Sequence, residues 1–319
     1  MTAPIPGPAL SGPPLPEPSL AGEPLGEPTA PAAAGEDPAR ARRAGSATWR
    51  AFRRQPLGMF SLVVLALIVL VSVLAPVLSA PPASYGPDVL RPPGGGHPFG
   101  TDALGRDVLA EVVWGTRQSV LVAVAASAIA IAFGTLVAVV GAYFRRVDAV
   151  VGVLVDLTLS LPVLPLMILV AALAGPSTTT IILVVAAFSW PEVTRLVRSQ
   201  ALAVVGLPYV DAARLMTRDA AWIIGRHVVP AVTPVVVVSV VVTASRAVLS
   251  AAGLAFLGLG DPTTWSWGRI LYEAQQSGSM VSAWWLTLFP SLAILALVLS
   301  ATLLSIAYND ARNPRNQDR

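Results

Sequence analysis

The chain has no cysteine and no lysine. Without cysteine there is no disulfide framework, no thiolate nucleophile and no Cys-ligated zinc or iron–sulfur centre, although this does not fix the redox compartment. Without lysine there is neither the phosphate-binding lysine of a P-loop nor a Schiff-base lysine. Charge of either sign is scarce. Only 12% of the 319 residues are charged, about half the usual share in a soluble domain, while 55% are hydrophobic. A soluble globular enzyme is therefore excluded in favour of a polytopic membrane protein. Histidine occurs only at positions 97 and 227. Neither has clustered His, Cys or acidic neighbours, so neither is a metal-site candidate.

What is present is a series of apolar runs. They cover Leu57 to Leu78, Ser119 to Phe144, Val147 to Ala174, Thr179 to Val205, Ala231 to Phe256 and Trp284 to Tyr308. The first, as a helix, is about 33 Å long, enough to cross a bilayer. The runs are rich in Val, Leu and Ala, with Gly and small residues that permit close helix approach. They predict an all-α polytopic membrane protein of six transmembrane helices. Residues 1–39 form a Pro/Ala/Gly-rich tail with no apolar period, expected to be disordered. Residues 40–118 hold a basic segment, the first span and an extracytoplasmic loop. Residues 119–308 form a five-helix core, and 309–319 a cytoplasmic tail.

Arginine sets the orientation. Arg40, Arg42, Arg43, Arg50, Arg53 and Arg54 precede the first span. Arg145 and Arg146, then Arg195 and Arg198 with Arg214, Arg218 and Arg226, and finally Arg312, Arg315 and Arg319 all fall on that same side of a six-span chain. The alternate loops are poorer: Ser79 to Gln118 has three arginines against four acids, and Leu257 to Ala283 has one arginine. Both termini are accordingly expected in the cytoplasm. The first arginine cluster is also compatible with anionic-lipid contact.

Two loops and a few buried charges carry the remaining information. In the loop 206–230, Pro208 suits a helix first turn and Asp211 its positive end. Ala212 and Ala213 permit close approach, and Leu215 and Met216 offer an apolar tip. Asp219 is placed to cap a second short helix, and Pro230 marks entry into the next span. The loop reads either as a plug for a partner protein or as an amphipathic segment lying on the headgroups. In the outer loop, Gly100 and Gly105 permit tight turns, and Asp102, Arg106 and Asp107 can pair with each other or with backbone amides around Thr101. The product is a folded cap, read either as local architecture or as a contact for a solute-binding protein. Trp265, Trp267, Trp284 and Trp285 fit an interfacial aromatic belt. Arg246 and Asp156 lie deepest in spans, where charge is costly. They are expected to line a pathway or to pair with one another, while Asp148 and Glu192 lie nearer the span ends.

The stretch Tyr209-Val-Asp-Ala-Ala-Arg214, with Arg226-His-Val-Val-Pro230, resembles the Glu-Ala-Ala loop of ABC importer permeases. His97-Pro-Phe-Gly-Thr-Asp-Ala-Leu-Gly-Arg-Asp-Val-Leu109, Phe256-Leu-Gly-Leu-Gly-Asp-Pro-Thr-Thr-Trp-Ser-Trp-Gly268, Leu288-Phe-Pro-Ser-Leu-Ala-Ile294 and Asn309-Asp-Ala-Arg-Asn-Pro-Arg315 resemble, in order, the C-type subunit of the dipeptide/oligopeptide/nickel group. The resemblance covers Trp49 to Arg315. It implies a type I ABC importer (MetI-like) transmembrane domain in the bacterial cell membrane. The partners it implies are a homologous B-type permease, two cytoplasmic ATP-binding subunits that hold ATP and Mg, and an extracytoplasmic solute-binding protein. It implies no cofactor on this chain and no nucleic-acid partner. Tyr209, Asp211, Ala212, Ala213, Arg214, Leu215, Met216 and Thr217 would form the ATPase-coupling loop. The chain departs from the family's pattern at Asp211 for Glu, Thr217 for a corner Gly, Ala251 for Glu and Trp265 for Pro. Loss of the acid at 251 beside Arg246 would make a pathway less acidic and more tolerant of anions.

The function implied is import of dipeptides or oligopeptides by ATP-driven alternating access, with nickel or another small solute as the alternative. An ion-coupled carrier would need more intramembrane ionisable groups and repeated halves. A membrane enzyme would need a nucleophile–base or metal constellation, and no Gly-x-Ser-x-Gly pattern is present.

Overall fold

The computed structural model describes residues 52–53, 55–82, 85–217 and 219–312. The 1–39 tail, Arg40, Arg42, Arg43, Arg50, Arg54, Arg218, Arg315 and Arg319 lie outside the described residues. Among the described residues the chain is helical, with only isolated bridges at Gly94–His97 and Thr101–Asp107.

Helix α1 (Pro56–Leu78) starts with Pro56 at its first position, where the missing N–H would have had no partner. Leu67, Leu70, Val73 and Val77 along it are exposed, which suits a helix solvated by lipid. Helix α2 (Val108–Tyr143) begins eleven residues before the expected Ser119. The apolar run starts later because Glu111 and Arg117 interrupt it. The helix starts earlier because Asp107 accepts a hydrogen bond from the Leu109 N–H at 2.9 Å and caps it.

The third expected span is two helices, α3 (Arg145–Ser160) and α4 (Val163–Ala174), bent by 87°. Pro162 has no N–H to donate and biases Leu161 away from helix; Leu161 is extended, with φ −82° and ψ 148°. Five helices are long and apolar enough to cross a membrane, and six spans result if the bent pair is one.

Helix α5 (Thr178–Val205) is capped by Ser177, which accepts from the Thr180 N–H at 3.0 Å. Two short helices follow, α6 (Pro208–Met216) and α7 (Ala220–Ile223). A π-turn (Ile224–Val228) then leads straight into α8 (Val229–Leu254), and a second π-turn (Ala255–Leu259) closes it. The helical element therefore starts at Ala220, not at Ala231. Pro230 does not begin it, because the π-turn just before it changes the ladder where its ring would meet a carbonyl four residues back. The outer loop expected across Leu257 to Ala283 contains a further helix, α9 (Trp267–Gln276), and α10 (Trp284–Arg312) ends the described chain.

The α2–α5 contact is the most extensive among the described helices. A Cβ on Gly134 would lie 2.9 Å from the Trp190 carbonyl oxygen, and the Thr194 hydroxyl donates to the Gly134 carbonyl at 3.0 Å. Val122 and Ala126 pack with Val184 and Val185 towards one end. Ala138 and Val139 pack with Val193, Val197 and, from α8, Val232 towards the other. Small residues on α2 bring the backbones together, so dispersion and interhelical hydrogen bonds replace the hydrophobic drive that lipid does not supply. At one end of α2, Tyr143 meets the loop 206–228. At the other, Val108 meets α9 and the start of α10.

Candidate functional site

At the Tyr143 end, α6 and α7 form a corner. Val210, Ala213 and Ile223 are buried against one another, with Tyr143 packed on them. The Arg214 guanidinium lies 4.9 Å from the Tyr143 ring centroid and pairs with Asp211 at 2.9 Å. Asp219 Oδ1 accepts from the N–H groups of Ala221 and Trp222 at 3.0 and 3.2 Å, the cap read from the sequence. Thr217, at the corner, is extended with φ −146° and ψ 148°. Any residue adopts that conformation, so the corner does not need the glycine that the resemblance placed there. Its Oγ1 accepts from the Asp219 N–H at 3.1 Å. Beyond this braced base, Leu215 and Met216 are 91% and 88% exposed. Tyr209, Ala212, Met216, Trp222 and His227 border a groove of about 480 Å³. The base is fastened to α2 by packing and to α8 through the π-turn, while the tip is bare apolar surface.

Within the spans, Arg246 of α8 pairs with Glu192 of α5. The expected Arg246–Asp156 pair does not form. Asp156 is exposed on α3, beyond which the chain turns away at Pro162. Asp148 is bound instead by Arg198 at 2.6 Å. Arg246 and Glu192 side chains are 59% and 49% exposed. They line a cavity of about 620 Å³ with Arg195, Ser199, Thr243 and Leu159. Nothing local in the sequence marks Glu192, because its partner lies on another helix, and Arg195 reads there only as one of the orientation-setting arginines.

At the opposite end the loop 85–107 is folded around Arg106. Gly100 and Gly105 both have positive φ, 77° and 76°, and a Cβ on Gly105 would lie 2.1 Å from the Gly86 carbonyl oxygen. The Thr101 hydroxyl donates to the Asp88 carbonyl at 2.5 Å and accepts from the Arg91 N–H at 2.8 Å. Asp102 Oδ1 accepts from the N–H groups of Leu104 and Arg106 at 2.9 and 2.7 Å, and Oδ2 from Arg106 Nε at 2.6 Å. Asp107 caps α2 and, among the described residues, joins no carboxylate cluster. Asp102, Glu111 and Glu273 bring one oxygen each within 4.8 Å of one another. The guanidinium of Arg106 meets all three carboxylates and already supplies the positive charge that such a cluster calls for. Burial alone would lower the Arg106 pKa, but Glu111, Glu273 and Asp102 outweigh it and hold the value above that of free arginine.

The tryptophans do not form the expected belt. Trp267 is fully buried and donates to the Val112 carbonyl at 3.2 Å. Trp285 is buried and donates to the Thr101 carbonyl. Trp265 lies between Arg106 and Arg269, whose guanidinium carbons are 4.5 and 4.3 Å from its ring centroid. Only Trp284 of the four is largely exposed. A tryptophan's amphipathic ring suits both a lipid interface and a buried donor site, and composition cannot separate the two.

Asp261, also missed, fastens the loop after the second π-turn to the head of α5. Its Oδ2 accepts from the Thr178 N–H and hydroxyl at 3.2 and 2.9 Å, and its Oδ1 from those of Thr263 at 2.9 and 2.6 Å. The Asp261-Pro-Thr263 sequence was the available signal, since Asp readily accepts from the N–H two residues on.

Comparison with known proteins gives two family matches. Residues 130–317 match the binding-protein-dependent transport system inner membrane component. Residues 45–93 match the N-terminal transmembrane domain of oligopeptide transport permease C. The chain is 33% identical over 227 residues to a Brucella suis protein provisionally named a peptide transport system permease, covering 71% of this chain and 76% of the relative. It is 32% identical over 274 residues to the glutathione transport system permease protein GsiD of Pectobacterium atrosepticum, covering 84% of this chain and 90% of that one.

Proposed function

Because this chain belongs to the family of inner membrane components of binding-protein-dependent transport systems, and is thus a multi-pass permease subunit of the bacterial cell membrane, we propose that it imports peptides by ATP-driven alternating access. Its partners are a homologous permease, two cytoplasmic ATP-binding subunits and an extracytoplasmic solute-binding protein. Both termini and the α6–α7 corner face the cytoplasm, a reading supported by the arginine-rich loops on that side.

The observation that carries the reading is the bare Leu215–Met216 tip on a braced base. An apolar tip held rigidly in front of a groove suits insertion into a partner surface, where central apolar anchors dominate docking. When ATP closes the partner subunits, their displacement enters this chain at α6. It passes to α2 through Arg214 and Tyr143, and to α8 through Ile223 and the π-turn. The bundle then exchanges inward-open for outward-open, and each state is favoured by the ligand that binds it better. This chain performs no covalent chemistry; hydrolysis occurs in the ATP-binding partners.

Peptide is favoured over nickel by the donor set of the intramembrane cavity. Two guanidiniums, one carboxylate and hydroxyls suit an organic zwitterion, whereas a nickel ion prefers imidazole or several neutral or anionic donors. The test is purification of the tagged full chain from its native membranes in mild detergent, with mass spectrometry of what accompanies it. Recovery of a second permease and P-loop ATPases is the expected result. A folded chain recovered alone, or only with copies of itself, would sink the reading.

A further inference from the structure

The cavity between α5 and α8 differs chemically from the apolar spans around it. Glu192, Arg195 and Arg246 open into about 620 Å³ of space, with Ser199 and Thr243 beside them. A volume of that order holds a small organic ligand. The open face cannot be lipid-facing, because a charged side chain at membrane depth costs several kcal/mol unless it meets water or a partner. Leu159, also on the wall, immediately precedes the elbow at Ser160–Pro162. Irregular backbone at membrane depth is tolerated only against protein or a water-filled space. Charge and backbone therefore mark the same face as turned away from lipid.

The charges on that face do not balance. Glu192 is taken by Arg246, and Arg195 forms no ion pair among the described residues. Two guanidiniums against one carboxylate leave the lining of this cavity with one positive charge in excess. We propose that this cavity is a charge-selecting substrate site. The carboxylate of a passing peptide binds Arg195 and Arg246, its ammonium group competes for Glu192, and peptides with acidic side chains are favoured over those with basic ones. The proposal rests on the import reading above and adds to it the residues that discriminate.

The experiment uses the complete importer in proteoliposomes: this chain, its second permease, its ATP-binding subunits and its solute-binding protein. ATP-driven uptake of Ala-Ala, Ala-Glu and Ala-Lys is measured for wild type and variants. Each uptake is divided by the wild-type value for the same peptide, so the preference of the binding protein cancels. Arg195→Gln with Arg246→Gln should lower the Ala-Glu to Ala-Lys ratio on the order of tenfold, the worth of one charge-assisted hydrogen bond. Glu192→Gln should move that ratio the other way. If the double variant fails to assemble, the single Arg195→Gln and Glu192→Gln variants decide, since Arg195 has no ion-pair partner among the described residues. Equal changes for all three peptides in these variants would make the triad a structural contact and overturn the proposal. A wild-type complex that assembles yet takes up none of the peptides would instead overturn the import reading, and the site with it.

Discussion

Arg106 and Glu273 are paired although 167 positions of chain separate them, so the loop 85–107 and α9 are fastened by one guanidinium. Arg106 also binds Asp102 and meets Glu111, and Trp265 covers it. Removing one partner of a buried ion cluster leaves the others uncompensated. Arg106→Ala leaves three carboxylates crowded together and should destabilise the protein by about 3–5 kcal/mol. Thermal unfolding of the purified detergent-solubilised protein reads this directly, and a melting temperature equal to wild type would refute it.

The Leu215–Met216 tip should behave in the opposite way. Both side chains are almost fully exposed, so Leu215→Asp with Met216→Asp should shift stability by no more than about 0.5 kcal/mol. Anchors of a docking surface typically cost about 2 kcal/mol or more on removal, over tenfold in affinity. The variant should therefore assemble poorly with the ATP-binding subunits while unfolding normally. Normal co-purification and uptake would remove the tip from the coupling role.

Gly134 tests the α2–α5 contact. A Cβ there meets the Trp190 carbonyl and Val193 at 2.9 and 3.0 Å, neither of which is a flexible side-chain end. Gly134→Val should cost about 1–3 kcal/mol by overpacking, seen in the same unfolding assay. Gly225→Ala is the control, because a Cβ at that position meets open space.

Asp261 gives the acid dependence. Partial burial pushes its carboxyl up, but hydrogen bonds from Thr263 and Thr178 outweigh burial and hold it below the ordinary value of 3.8. Its folded value is thus depressed. The stabilisation is fully present above the unfolded value and is lost as pH falls through the folded one. Thermal stability of wild type should fall more steeply below about pH 4 than that of Asp261→Asn. Identical acid limbs would show that these hydrogen bonds carry no charge preference.

Local chemistry made much of this legible in sequence. The apolar runs locate the spans, and Pro208, Asp219 and the pair Gly100 and Gly105 each specify a cap or turn by their own stereochemistry. What escaped depends on neighbours distant in sequence. Glu192 and Arg246 meet across 54 positions, and nothing local to Arg246 prefers Glu192 to Asp156. The start of α2 was hidden because hydropathy stops at Glu111 while hydrogen bonding does not. The elbow was legible in Pro162, but the predominantly apolar run on both sides of it reads as a single span.

From Ala220 through the first π-turn to Leu254 the chain is one continuous helical element, so the α6–α7 corner and the wall of the cavity are parts of one rod. At the helical rise that element is about 50 Å long. Val228 and Val232 wedge against Val197 and Ala201 and provide a fulcrum away from its tip. A tilt of about 10° about that fulcrum would displace Arg246, about 24 Å away along the axis, by about 4 Å. A nudge at Trp222 is thereby geared to a swing of Arg246, so the corner and the wall cannot move independently.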